Sequence, residues 1–410
     1  MLSSVPPIEV ALVLSQTTAV KHSWSSTALT WQRQSLRRRP GPLGRGLAML
    51  TACASLAACH WVRTGDPAPV RPVAASQIKA VGECATTASC HDSVDMVAMG
   101  VSGFLFIPWR DSTQLVMTPP SYTNPTLWWT VFGNWLFGSS SNDARIARRL
   151  RDLPAAGPER LSRVRAVLVG HGHYDHVMDL PPLARALPNA VVYGSRSVVN
   201  TLNAVPEFRG ASQAPSRLVS VDSLAGVTAD QPGRDIPVGD MVRVRAIAWE
   251  HAPNFGTHVI ARGTVESARS TLPRGLFGWK LGRVYAYAID LLDRDGHVGS
   301  RIVVHDAGAS PEVVRRAVRV IGTMPSARTT VVVITAANFD QEPSYPDILL
   351  ASLAPQHVLL GHWEDFFRSP EKEERVARGI RGQRLIDVVQ RYQGDRWTAL
   401  RAGATLRVRY

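Results

Sequence analysis

Short apolar segments separated by polar turns dominate the sequence from about residue 96 onward. From Met241 to Trp249 apolar and polar side chains alternate, which is the pattern of a strand with one buried face. The strands predicted in this way cover residues 96–109, 114–118, 165–170, 190–193, 217–221, 241–249, 284–292, 301–305, 329–336 and 357–360.

Helices are predicted between these strands. Asn142 precedes an amphipathic stretch at 144–150, and its side chain suits the N-terminal cap of a helix. A further helix starts within 180–187, and the remaining predicted helices cover residues 311–321, 345–353 and 375–392. Strands that first follow one another and then alternate with helices predict an α/β fold with two sheets packed face to face and helices outside.

Four side chains of metal-binding types follow the apolar run that ends at Gly170: His171, His173, Asp175 and His176. Residues two apart on an extended segment point to the same side, so His171 and His173 can bind one cation. Asp175 and His176 lie where the chain turns toward the next helix and can face a second cation. Imidazole and carboxylate ligands without thiolate suit zinc, and also iron or manganese.

The pattern His-x-His-x-Asp-His after an apolar strand resembles the metallo-β-lactamase superfamily. The resemblance covers about residues 95–410 and implies the αββα four-layer metallo-β-lactamase-like sandwich, with the metal site at one edge between the sheets. It also implies three later ligands, each at the end of a strand. The side chains at the expected strand ends are His251, Asp306 and His362.

The resemblance implies two divalent metal ions, most often zinc. The first ion would be bound by His171, His173 and His251, and the second by Asp175, His176 and His362. Asp306 would bridge the two ions, and a hydroxide shared by them would attack the substrate. Asp175 and Asp306 are therefore the predicted catalytic carboxylates.

Two segments narrow the resemblance within the superfamily. Trp363 to Phe367 and the Asp306-Ala-Gly segment resemble the branch with the ascorbate-phosphate lactonase and the N-acyl-phosphatidylethanolamine phospholipase D. That branch commonly has Asp before the proline of its second strand, where this chain has Thr118. Gly170 also stands where a serine often precedes the first histidine. These departures leave the ligand set intact but predict a different pocket.

Other side chains are candidates for substrate binding. Tyr174 and His258 could contact the substrate or protonate a leaving group, although each has an ordinary packed or exposed role as its alternative. The aromatic segment at 126–137 either belongs to the core or covers the site as a lid. In the second case Trp128 and Trp129 would receive an acyl or aromatic group, or contact a bilayer surface.

The amino-acid composition and net charge indicate which kinds of binding partner the protein could have. The 410 residues are 45% hydrophobic, which is enough for a full core. The formal net charge of +13 could indicate anionic partners. Arginine is spread along the chain, however, so a solvated basic surface is favoured over a nucleic-acid groove. The partner predicted is a small-molecule or lipid substrate, and the oligomeric state is left open.

The N-terminal region predicts export. A basic segment at 37–45, a short apolar run and Leu56-Ala-Ala-Cys59 read as a signal peptide spanning residues 37–59. Its end resembles a bacterial lipobox, which implies cleavage before Cys59 and lipidation of that residue. The alternative is a buried amphipathic helix. The predicted location is the cell envelope, with the protein anchored by lipid and facing the periplasm.

The predicted signal peptide divides the rest of the chain into segments. Residues 1–36 remain unassigned, residues 60–80 are predicted to be a flexible linker, and residues 81–410 form the hydrolase domain. Two cysteines, Cys84 and Cys90, remain on a short loop in an oxidising compartment, and we predict a disulfide between them.

Three hypotheses about function remain open. The first is a phosphodiesterase acting on a phospholipid-like substrate, favoured by membrane attachment and the aromatic segment. The second is a lactone, ester or β-lactam hydrolase of the cell envelope. The third is a non-catalytic envelope binding protein, against which the complete ligand set argues.

Overall fold

The computed structural model describes residues 70–82, 92–153, 157–210, 215–224, 227–254 and 257–410. In chain order the strands are β1 Ile78–Val81, β2 Ser93–Gly100, β3 Gly103–Pro108, β4 Leu115–Met117, β5 Val164–Leu168, β6 Val191–Gly194, β7 Leu218–Ser220, β8 Ile236–Gly239, β9 Val242–Trp249, β10 Val284–Leu292, β11 Val298–Val304, β12 Thr329–Thr335, β13 His357–Gly361, β14 Trp397–Ala399 and β15 Thr405–Arg409.

The helices lie mostly between these strands. In chain order the α-helices are α1 Asn134–Phe137, α2 Asp143–Arg151, α3 Pro158–Leu161, α4 Tyr174–Val177, α5 Leu180–Leu183, α6 Arg196–Leu202, α7 Pro206–Arg209, α8 Pro311–Gly322, α9 Asp347–Leu353 and α10 Gly382–Gln393. Asn142 caps α2 as predicted, since its side chain accepts a hydrogen bond from the amide of Arg145.

The strands form two mixed sheets. The first has the order β1-β15-β2-β3-β4-β5-β6-β7, and the second has the order β14-β13-β12-β11-β10-β9-β8. In both sheets an antiparallel part is followed by a parallel part, where helices provide the crossovers. The predicted α/β fold with two sheets is confirmed, and both sheets are mixed.

Three hydrophobic layers hold the sandwich together, and β10 shows how one strand serves two of them. Val284, Ala286 and Ala288 pack toward the core shared with α8, α9 and α10. Tyr285, Tyr287 and Ile289 point the other way, into the core between the two sheets. A third core lies between the first sheet and helices such as α2, α5 and α6. Alternating side chains thus produce the four αββα layers.

The sequence-based plan of the first sheet needs two corrections. The run predicted as one strand at 96–109 is a hairpin of β2 and β3, because the chain turns at Val101 and Ser102. The predicted linker at 60–80 is wrong in its described part. Val70 is fully buried, and β1 pairs in parallel with β15. Backbone pairing with a partner at the far end of the chain has no signature in the local sequence.

The described aromatic side chains Trp128, Trp129 and Phe137 of the segment at 126–137 are exposed rather than in the core. A π-helical turn at Trp129–Gly133 leads into α1, and the exposed fractions are 70% for Trp128 and 77% for Phe137. No helix in the described part of the chain is long and apolar enough to cross a membrane. The predicted signal peptide with Cys59, the unassigned residues 1–36 and the pair Cys84 and Cys90 lie outside the described residues.

Candidate metal centre

The ends of four strands meet at one edge of the sandwich. Beyond β5, in the first sheet, the chain carries His171 and His173 in an extended segment and then Asp175 and His176 in α4. From the second sheet, His251 follows β9, Asp306 follows β11 and His362 follows β13. The structure brings all seven predicted ligands together at the border between the two sheets.

The first group of three consists of His171, His173 and His251. Nε2 of His171 lies 3.0 Å from Nδ1 of His173, and the His251 ring centre lies 4.8 Å from each of the other two ring centres. All three side chains are buried. The three imidazoles therefore converge on one point, where they could hold one cation.

The second group of three consists of Asp175, His176 and His362. Oδ2 of Asp175 lies 3.2 Å from Nε2 of His362 and 3.5 Å from Nε2 of His176. Ligand atoms at zinc bond lengths in a tetrahedral site are about 3.4 Å apart, so this spacing fits one ion. Nδ1 of His362 is buried and has no hydrogen-bond partner in the described structure.

Asp306 lies between the two groups. Its Oδ1 is 2.9 Å from Nδ1 of His171, and its Oδ2 is 3.4 Å from Nδ1 of His176. Nδ1 of each imidazole therefore faces the carboxylate, and His171, His176 and Asp306 form a third group whose ligand atoms lie close together.

Backbone carbonyl groups orient two of the imidazoles. Nε2 of His173 donates to the carbonyl of Ile260 over 2.8 Å, and Nδ1 of His251 donates to that of Ala252 over 2.6 Å. Donation from one ring nitrogen leaves a lone pair on the other, which is the form that binds metal. Sequence reasoning missed both carbonyls, because a backbone group carries no side-chain signal.

The electrostatics of the site favour neutral imidazoles beside an ionised carboxylate. Burial lowers the pKa of His171 and His173 well below the ordinary histidine value, and it lowers the pKa of His176 to about 4. Burial alone would raise the pKa of Asp175, but His176 and His362 beside it hold that pKa well below its usual range. Metal ligands need these same protonation states.

The backbone adapts to the site at two positions. Gly172 donates its N–H to the carbonyl of Leu281 over 2.9 Å, and a β-carbon at 172 would collide with the carbonyl oxygen of Lys280. Only glycine therefore fits between His171 and His173. His362 has a φ of 51°, a left-handed conformation that is uncommon for a side chain of this kind and typical of functional sites.

A cavity of about 500 Å³ opens beside His251. Apolar side chains such as Trp249 and Leu281 form part of its wall. Arg262 and Arg283 provide cationic groups, and Glu250 and Glu342 provide anionic groups. Sequence reasoning missed the two arginines, because the chain contains many and only the fold shows which of them lie near the ligands. The lining therefore carries both signs of charge, and its two guanidinium groups could pair with an anionic group of a substrate.

The predicted substrate-binding residues lie at different distances from the candidate metal centre. Tyr174 lies in α4 among the ligands, and its hydroxyl is buried without a hydrogen-bond partner in the described structure. His258 is exposed on the loop that supplies the carbonyl of Ile260. Trp129 borders a different cavity, of about 1180 Å³, whose described lining contains no predicted ligand. Trp128 is exposed next to it.

The unusual Thr118 has a structural role. Its hydroxyl accepts a hydrogen bond from the amide of Phe104 over 2.9 Å and donates one to the carbonyl of Ser102 over 2.8 Å. These bonds close the turn between β2 and β3.

A comparison with family models agrees with the coarse resemblance. Residues 135–288 match the family described as Beta-lactamase superfamily domain, and this segment holds the ligands from His171 to His251. Among solved structures, the chain is similar to a class B3 di-zinc metallo-beta-lactamase from an Alaskan soil metagenome. That similarity has 10% sequence identity and a TM-score of 0.26, and covers 62% of this chain and 83% of the other. No curated protein matches the sequence.

Proposed function

We propose that the protein is a metal-dependent hydrolase of the metallo-β-lactamase superfamily with two metal sites. One observation carries the proposal: two groups of three buried side chains of ligand type stand side by side, and in each the ligand atoms lie close enough together to hold one divalent ion. The donor set of imidazoles and carboxylates without thiolate suits zinc, with iron or manganese as alternatives. The family match at 135–288 supports the same assignment.

The side chains have separate tasks in this proposal. When bound, the ions lower the pKa of a water molecule and polarise the bond under attack. His173 and His251 are held by carbonyl groups so that each presents a lone pair. The Asp175 carboxylate supplies negative charge that balances a cation. Tyr174, with its buried and unpartnered hydroxyl, is the candidate for contact with the leaving group.

The proposed substrate is a phosphodiester, in particular one that resembles a phospholipid. The cavity beside His251 supports this class, because Arg262 and Arg283 match a phosphate and its apolar wall matches an acyl or alkyl group. A neutral lactone or ester could accept hydrogen bonds from the two guanidinium groups but lacks the negative charge that would pair with them.

A substrate panel with matched arginine variants tests this function. The zinc-loaded protein should hydrolyse phosphodiesters faster than lactones or β-lactams. Arg262→Ala should raise KM for the phosphodiester by about tenfold, because loss of a charged contact costs on the order of 1.5 kcal/mol. Arg315→Ala, which removes an exposed arginine on α8, is the control and should leave KM unchanged. Faster hydrolysis of a lactone or β-lactam would contradict the phosphodiester assignment.

We also propose that the protein is a lipid-anchored component of the cell envelope. Leu56-Ala-Ala-Cys59 after a basic segment supports this location. Cys59→Ser should move the protein from the membrane fraction to the soluble fraction and remove lipid from its N-terminus. An unchanged distribution with no lipid on the wild-type protein would rule the anchor out.

A further inference from the structure

The Asp306 carboxylate faces His171 and His176 on the side of each ring that is opposite to its ligand group. Its two oxygens face Nδ1 of His171, at 2.9 Å, and Nδ1 of His176, at 3.4 Å. The other nitrogen of each ring points into a ligand group, because Nε2 of His171 faces His173 and Nε2 of His176 faces Asp175. The two nitrogens of an imidazole point away from each other, so a carboxylate at Nδ1 lies on the far side of the ring from an ion at Nε2.

The Asp306 carboxylate packs directly against the backbone of Gly170. A β-carbon at position 170 would lie 2.5 Å from both carboxylate oxygens of Asp306. Real β-carbons do not approach other atoms so closely, so any side chain at 170 would displace Asp306. Gly170 directly precedes His171, and the carboxylate is therefore held against the end of the first sheet, behind the ligands.

We propose that Asp306 is a positioning residue shared by the two metal sites, rather than a ligand that bridges the ions, and that Gly170 exists to accommodate it. Asp306 accepts the Nδ1–H of His171. Its other oxygen lies 3.4 Å from Nδ1 of His176, so its charge favours in both rings the tautomer that keeps the proton on Nδ1 and presents Nε2 to the ion. One carboxylate thereby orients a ligand of each site. This role rests on the proposed function, since it presupposes two ions.

A positioning role and a bridging role make different predictions for Gly170. If Asp306 bridged the ions, its carboxylate would move forward, away from Gly170, and a methyl group at 170 would be tolerated in the loaded protein. If Asp306 stays behind the rings, the same methyl group removes it as effectively as truncation. Gly170→Ala and Asp306→Ala should then have equal effects, and the double variant should be no worse than Asp306→Ala alone.

The experiment is a zinc titration of the metal-free protein against a competing chelator, with bound zinc counted by elemental analysis. Asp306→Ala and Gly170→Ala should each still bind two ions at saturation, with affinity lowered about 10- to 100-fold. Asp306→Asn keeps one acceptor oxygen and should fall between wild type and Asp306→Ala. Gly322→Ala is the matched control, since nothing lies within 4 Å of a β-carbon there, and it should bind like wild type.

The outcomes separate the two proposals. Wild-type affinity in Gly170→Ala, together with loss of a whole ion in Asp306→Ala, would overturn the positioning role and restore the bridge. A third ion bound in the wild type and lost in Asp306→Ala would also overturn it. Fewer than two ions in the wild type would instead overturn the proposed function itself. If Gly170→Ala fails to fold, two ions retained by Asp306→Asn support the positioning role, and one ion retained contradicts it.

Discussion

At the scale of single residues, burial sets the chemistry of this protein's histidines. Burial lowers the pKa of His171, His173, His176 and His251, and also that of His357, which lies away from the metal centre at the start of β13. Its Nε2 lies 2.8 Å from the hydroxyl of Thr398. Burial, with Lys79 and Arg396 nearby, lowers the pKa of His357 to about 4.

His357 should therefore make the stability of the metal-free protein fall in mild acid. Above pH 6.5 the side chain is neutral in both the folded and the unfolded state. Between pH 6.5 and about 4 the unfolded chain takes up a proton that the folded state excludes, so the free energy of unfolding decreases. His357→Gln lacks this titration and should lose about 2 kcal/mol less than wild type between pH 7 and 4.5.

Denaturant unfolding of both metal-free proteins across this pH range measures the difference. All other titratable groups are the same in the two proteins, so their contributions cancel in the comparison. Parallel pH curves for wild type and His357→Gln would show that the folded protein accommodates the protonated ring.

At the scale of elements, the edge of the first sheet depends on a strand that the sequence did not reveal. β1 pairs in register with β15, from Ile78 with Thr405 to Val81 with Val408. Val70 is packed in the hydrophobic core between the second sheet and the helices that cover it. Val73 forms an isolated β-bridge with Leu400. Residues 70–81 are therefore part of the folded domain rather than a tether.

A protein that begins at residue 83 should be less stable than one that begins at residue 70. It loses the β1 pairing and the burial of Val70, which together should lower the free energy of unfolding by about 2 to 5 kcal/mol. Thermal unfolding of the two truncated proteins tests this. Equal melting temperatures would mean that β1 contributes nothing to the domain.

At the scale of the whole molecule, the candidate metal centre joins the two sheets. Four of its side chains follow β5 in the first sheet, and His251, Asp306 and His362 come from the second sheet. Ions bound there would stabilise the sandwich only in its folded state, by an amount that grows with occupancy.

Removal of metal should therefore lower the melting temperature of the whole domain. A free zinc concentration a thousandfold above Kd corresponds to about 4 kcal/mol of stabilisation. Chelation should reverse it, and added zinc should restore it. His171→Ala should lose most of this response, whereas His357→Gln, which alters a buried histidine outside the site, should keep it. An identical response in His171→Ala would place the stabilising ions elsewhere.

The sequence by itself determined the fold class and the identity of the candidate ligands. Alternation along β9 is a local property, and so is the spacing of His171, His173, Asp175 and His176. The tertiary structure decided what depends on distant segments: the addition of β1 to the sheet edge, the carbonyl groups that orient His173 and His251, and the ring nitrogens that Asp306 faces. Each of these features brings together parts of the chain that are far apart in sequence, and residue type alone does not encode such contacts.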